Sequence, residues 1–170
     1  MNPRIERLGR VLATAVAGMS AEQMAWHPPG KWSAAEILEH LYLTYSGTAK
    51  GCARVLAEGK SIAGKTTFQH RFRTFAVVGL GYFPPGRKSP ERAEPKGLPF
   101  EKVSAEIGGK LAEMDELISQ CEARFNGKLM DHPILGPLTA EQWRKFHVVH
   151  GMHHLKQIEL LRRSQGVPAP

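Results

Sequence analysis

The sequence predicts an all-α chain folded as an up-down-down-up four-helix bundle, and three observations point there. Four long segments repeat apolar residues with the 3.6-residue period of a helix, and each opens on a recognisable start. No segment sustains the period-2 alternation of a strand, and no Asn-Gly or Asp-Gly turn joins two strand-like runs. The connections are unequal: those after the first and third helices are short, whereas residues 60–98 separate the second from the third. Short connections favour antiparallel neighbours, and a long crossover lets consecutive helices run parallel.

The first helix covers residues 3–19, where Ile5, Leu8, Leu12, Val16 and Met19 keep to one face. Arg4, Arg7 and Arg10 ahead of a small apolar run have the look of a secretory leader, but Glu6 interrupts the basic region. The second helix begins at Ser33, where Ser33-Ala34-Ala35-Glu36 forms a capping box. Its stripe is Ile37, Leu41, Tyr45, Thr48, Cys52 and Val55, and Gly59 lies just past its end. The crossover is expected to be helical around Thr66–Leu80 and an open loop over Pro84–Pro90, where proline is too dense for regular structure. The third helix starts near Phe100 and carries Val103, Ile107, Leu111, Met114, Ile118, Cys121 and Phe125 until Asn126-Gly127 stops it. After a turn-rich stretch from Asp131 to Leu138, a second capping box at Thr139-Ala140-Glu141-Gln142 opens the fourth helix, which runs to about Ser164. Residues 1–170 form one domain.

Composition narrows the class. Apolar residues make up 42% and charged residues 23%, as in an ordinary globular protein. No apolar run approaches the ~18 residues that span a bilayer. Cys52 and Cys121 both fall on apolar stripes, where free cysteine packs as a small core residue, and they suit a reducing cytoplasm. The formal charge is +7, of which residues 60–96 hold +6, with eight basic residues against Glu91 and Glu94. A nucleic-acid binder would spread its charge more evenly. Phe68, Phe72, Phe75, Tyr82 and Phe83 accompany these charges, and core packing of a crossover helix explains most of them. Neither nucleic acid nor membrane is an expected partner.

The fourth helix carries the chemistry. Trp143, Phe146, His147, His150, His154, Ile158 and Leu161 share a stripe, with the three histidines within about 60° of each other. Burying a polar group without a partner costs roughly 1–3 kcal/mol, so three imidazoles in one stripe need compensation, which a metal ion provides. His150 and His154, at i and i+4, can share an ion. His40 lies on the core-facing side of the second helix and can supply a third ligand, the way bundle metal sites are assembled. Three histidines around a divalent ion leave a place for water or substrate. A buried histidine is equally read as a satisfied core residue, so spacing alone leaves both readings standing.

His147, one turn before His150, is the candidate catalytic residue as a proton carrier; it is also placed to support a ligand or to pack in the core. Gln157, one turn after His154, is placed to hydrogen-bond a ligand or a bound water. His153 points off the ligand direction, Trp32 fixes the entry of the second helix, and Glu39 is expected in solvent. His27, His70 and His132 carry no signal of their own.

The run Trp26-His27-Pro28-Pro29-Gly30-Lys31-Trp32-Ser33 through Glu39-His40-Leu41 resembles the signature of the DinB-like superfamily, in which a GKWS-type turn opens the second helix ahead of a histidine. His150-Gly151-Met152-His153-His154-Leu155-Lys156-Gln157-Ile158 looks like that family's HxxxH segment, with Leu155-Lys156 where an Arg-Gly is usual. The resemblance covers the bundle from end to end, although the crossover is longer than the family's. It implies the up-down-down-up bundle, a site for zinc, nickel or a related ion such as iron or manganese held by His40, His150 and His154, and a homodimer. Relatives in the superfamily include enzymes that add a low-molecular-weight thiol to an electrophile, and hydrolases. The resemblance therefore implies a metal-dependent thiol S-transferase acting on a small molecule, with a metal-dependent hydrolase as the neighbouring activity. The alternative from another class is a non-catalytic metal-binding stress-response bundle whose basic crossover contacts an anionic partner. The chain has no Gly-x-Ser-x-Gly and no glycine-rich phosphate loop.

Overall fold

The computed structural model describes residues 1–83 and 89–168, so the open loop expected over Pro84–Pro90 lies largely outside the described residues. Six α-helices carry most of the chain: α1 (Pro3–Val16), α2 (Ala21–Ala25), α3 (Ala34–Glu58), α4 (Phe68–Thr74), α5 (Phe100–Arg124) and α6 (Ala140–Ser164). The four long ones, α1, α3, α5 and α6, are those read from periodicity. Two of their starts are the expected capping boxes: Ser33 Oγ accepts from Glu36 N while Glu36 returns to Ser33 N, and Thr139 with Gln142 does the same for α6. The first helix is shorter than expected, ending at Val16, and Gly18 at φ 74° turns the chain into the extra helix α2.

The all-α expectation needs one correction. Lys128–His132 (β1) and Gly136–Thr139 (β2) pair antiparallel between α5 and α6. Leu129, Met130, Pro137 and Leu138 are all buried, so the strands lack the one-sided alternation that marks a strand in sequence. The hairpin closes that end of the core, and β1 packs so closely on α3 that a Cβ on Gly51 would collide with the Met130 sulfur.

Core side chains interdigitate from all four long helices. Leu41, Tyr45, Cys52 and Val55 of α3 pack with Leu111, Met114, Ile118 and Cys121 of α5, and with Ile5, Leu8 and Leu12 of α1. Tyr42 Oη donates to Glu106 near one end of α3 and α5, and Cys121 Sγ meets Cys52 O near the other. Arg4 pairs with Glu141 and Arg162 donates to Ala15 O along α1 and α6. Gly151 lets those two helices approach, since a Cβ there would lie 2.6 Å from Leu8 Cδ1.

The crossover contains α4, as expected, continued by a π-helical turn at Phe75–Gly79. Val77 and Val78 enter the core, and Thr74 Oγ1 donates to Leu135 O of the hairpin turn. Phe68, Phe72, Phe75 and Tyr82 do not pack in the core: their large side chains are exposed, which overturns the packing expectation for all of that aromatic set but Phe83. The chain then returns past the 3-10 turn Glu91–Ala93 to lie on α3. No helix among the described residues is long and apolar enough to cross a membrane.

Candidate metal centre

α3 and α6 present His40, His150 and His154 to one point. Each sits on a helix anchored at its N-terminus by a capping box, so backbone geometry fixes where the rings can reach. His40 Nε2 lies 3.1 Å from His150 Nε2, which lies 3.0 Å from His154 Nε2. One nitrogen from each ring falls within 4.8 Å of the others, and all three residues are buried. Imidazoles sharing a cation at bonds of about 2.0–2.1 Å stand roughly 3 to 3.4 Å apart, nitrogen to nitrogen, so the spacing fits a common ion. The three can hold a metal ion.

Two of the three outer nitrogens support that use, while the third, His150 Nδ1, is buried without a hydrogen-bond partner. His40 Nδ1 is 2.6 Å from Ala93 O, and His154 Nδ1 is 2.7 Å from Gln157 Oε1. Both partners accept, so each Nδ1 carries the proton and each Nε2 turns a lone pair inward. His150 Nε2 can donate to only one of the two lone pairs that face it. A cation relieves the remaining repulsion and satisfies all three nitrogens at once. Burial lowers all three imidazoles below their ordinary value, His154 to about 3, with neighbouring histidines reinforcing the effect on His150 and His154. They are neutral at pH 7, the form that binds a metal.

The walls are aromatic. Trp32 has its ring centroid 5.0 Å from that of His40 and stacks on His154, which gives it a place beside the three rings beyond fixing the helix entry. Phe83 lies 5.7 Å from His150 and stacks on His153 at 5.0 Å. Phe146 stacks on His150 from below. His153 is only half-buried, against Phe83 and Gln157.

His147 stays apart. It is fully buried, its Nε2 lies 3.1 Å from Thr48 Oγ1, and its ring stacks on Trp143. Burial pushes it down to about 3, so it is a neutral ring one turn below the three and makes no hydrogen bond to them. Gln157 does contact a ring of the cluster, as its accepting bond to His154 shows.

Four contributors were not read from sequence. Ala93 O aims His40, and Ser89 Oγ lies 3.4 Å from the same Nδ1. Glu39 is 2% exposed rather than in solvent, because the returning crossover covers that side of α3; its carboxylate accepts from Lys96 N at 2.7 Å and Gly97 N at 3.1 Å. His132 is buried and its Nδ1 accepts from Ile134 N and Leu135 N, closing the hairpin turn. Cys52 and Cys121 are free and buried, and burial raises both thiols, so neither is a ready nucleophile. A groove of about 540 Å³ is lined by His70, Arg71, Phe75, Lys128 and Lys145 among others and includes none of the three histidines.

No curated protein and no solved structure matches the chain. A family model described as "Protein of unknown function (DUF1569)" matches residues 3–160, and the chain belongs to that family.

Proposed function

We propose that this chain is a metal-dependent enzyme of the DinB-like type that joins a low-molecular-weight thiol to a small electrophile, using one divalent ion held by His40, His150 and His154. The convergence of one nitrogen from each of three neutral imidazoles within 4.8 Å carries the reading. The resemblance at residues 26–41 and 147–158 supports the choice of reaction. The bundle is read as up-down-down-up: contact pairs rise together along α3 and α5, and along α1 and α6, whereas His40 meets His154 while Thr48 meets His147.

Bound there, a divalent ion supplies Lewis acidity that makes an incoming thiol or water acidic enough to react as its anion near neutral pH. The protein does the rest by placement. Ala93 O and Gln157 Oε1 hold the inward lone pairs of His40 and His154 in line. Trp32, Phe83 and Phe146 wall the site with apolar surface, which keeps water away from the reacting groups and favours a substrate with an apolar body. His147, neutral and bonded to Thr48, braces α6 against α3 beneath the site. Zinc or nickel suits an all-imidazole set best, with iron or manganese next. The same neutral three-nitrogen set also serves water activation, so hydrolysis is the second reading. The buried free cysteines agree with a cytoplasmic setting.

Element analysis of the purified protein, with His40→Ala and His154→Ala as controls, tests the site; wild type with no stoichiometric divalent metal overturns it. Thiol consumption against a panel of electrophiles, with and without chelator, tests the reaction. Chelator-insensitive consumption sinks the transferase, and chelator-sensitive ester cleavage without thiol consumption moves the assignment to hydrolase.

A further inference from the structure

We infer that the crossover helix is a docking face for an anionic membrane surface. Five of the large apolar side chains exposed among the described residues come from one stretch: Phe68, Phe72, Phe75, Leu80 and Tyr82. Phe68, Phe72 and Phe75 are 83%, 66% and 61% exposed, and their spacing of four and three puts them on one face of α4 and its π-helical continuation. Val77 and Val78 take the opposite side into the core, so this is a helix already docked by one face that holds a second apolar face outward. Single exposed apolar residues are ordinary; a contiguous row of this size marks an interaction surface.

Charge identifies the occupant. From Lys60 to Pro90 the sequence has no Asp or Glu, while Lys60 and Lys65 on the approach to α4 and Arg71 within it are exposed. Other elements bring Asp131 and Glu141 to this region; Asp131 accepts from Gly64 N, and Glu141 pairs with Arg4. A second copy pairing on the same face would set two basic segments against each other. Single-stranded nucleic acid would use the rings and the basic residues alone, whereas an acyl-chain boundary also takes the aliphatic Leu80 exposed in the same stretch. Phenylalanine and leucine on one face with lysine and arginine beside them suit the boundary between acyl chains and anionic headgroups. The same stretch leads directly into Phe83, which stacks over His153 beside the three-histidine cluster.

Flotation of the full-length protein with lipid vesicles tests the idea. Wild type should bind vesicles containing roughly a third phosphatidylglycerol, bind neutral phosphatidylcholine vesicles at least about tenfold more weakly, and detach in high salt. Phe68→Ser with Phe72→Ser, and separately Lys65→Gln with Arg71→Gln, should each lower binding about tenfold or more. All four side chains are exposed, so thermal melting should hold and show that the fold is intact. Phe72→Trp should blue-shift its emission on anionic vesicles. Three results overturn the inference: no binding of anionic vesicles, binding unchanged by the phenylalanine pair, or binding of a single-stranded oligonucleotide or a second copy through these residues with no vesicle binding.

Discussion

His40 and Ala93 are separated by 53 residues in sequence, yet the His40 Nδ1 and the Ala93 carbonyl oxygen stand 2.6 Å apart. The crossover is thus part of the three-histidine cluster: it leaves α3, travels over the hairpin, and comes back to orient a ring on the helix it left. Glu39 secures the return by accepting from Lys96 N and Gly97 N.

Glu39→Ala should therefore act at a distance. It removes the carboxylate that accepts from Lys96 N and Gly97 N, two charge-assisted hydrogen bonds worth roughly 1–3 kcal/mol of stability, and it loosens the segment that aims His40. Metal affinity should fall about 10- to 100-fold, the usual cost of losing a partner behind a ligand. Competition with a chromophoric chelator measures it. Affinity equal to wild type would show that Ala93 holds its place without Glu39.

Gln157→Leu makes a cleaner test of ligand orientation, because Gln157 is only partly buried and its Oε1 accepts from His154. The variant should keep one ion per chain but bind it about 10- to 100-fold more weakly. Without metal it should be less stable than wild type by roughly 1–3 kcal/mol, because the buried His154 Nδ1 loses its acceptor, whereas saturating metal at ~100 times Kd should stabilise wild type by about 2.7 kcal/mol. A variant that binds as tightly as wild type would remove Gln157 from the site.

The limits of sequence reading show in these same residues. Capping boxes at Ser33 and Thr139 place α3 and α6 because the signal is local, and the i,i+4 pair His150 and His154 is legible for the same reason. Glu39 was misjudged because periodicity assigns each helix one buried face. Near His40 the crossover covers α3 from the other side, leaving residues 37–41 buried all round. Phe68, Phe72 and Phe75 fail in the opposite direction: their spacing is that of a core stripe, but period reports an apolar face and not whether anything covers it. The hairpin escaped because both faces of its strands are covered.

Acid should unfold this protein early, and His132 is one reason. Burial, with a smaller contribution from the Arg92 charge, holds its imidazole at about 3, against about 6.5 in an unfolded chain. Between those values the unfolded state binds the extra proton, so stability is full above about pH 6.5 and falls as pH drops through the window. His132→Asn keeps an acceptor for Ile134 N and Leu135 N but takes up no proton. Its stability should fall less steeply between pH 6 and 4, by up to ~1.4 kcal/mol per pH unit. Parallel curves from denaturant titrations would exonerate His132.

The strongest single loss should come from Arg144, which precedes His150 on α6 and makes no hydrogen bond to the three histidines. Its Nε donates to Asp115 Oδ1 at 2.9 Å, and its other nitrogens reach Glu122 and Ser119. Asp115 is wholly buried and also accepts from Asn2 N, so one carboxylate ties the start of α1 to α5 and α6. Arg144→Ala leaves that carboxylate buried and uncompensated, which costs about 3–5 kcal/mol. Arg144→Ala with Asp115→Asn should recover part of the loss, because the stranded charge is gone while the amide still accepts from Asn2 N. If the double variant is as unstable as the sum of the two singles in chemical denaturation, the pair is not coupled and the loss reflects packing of the arginine stem. Recovery of stability without any change in metal affinity would show that this buried network holds the bundle's far end together independently of the histidine centre.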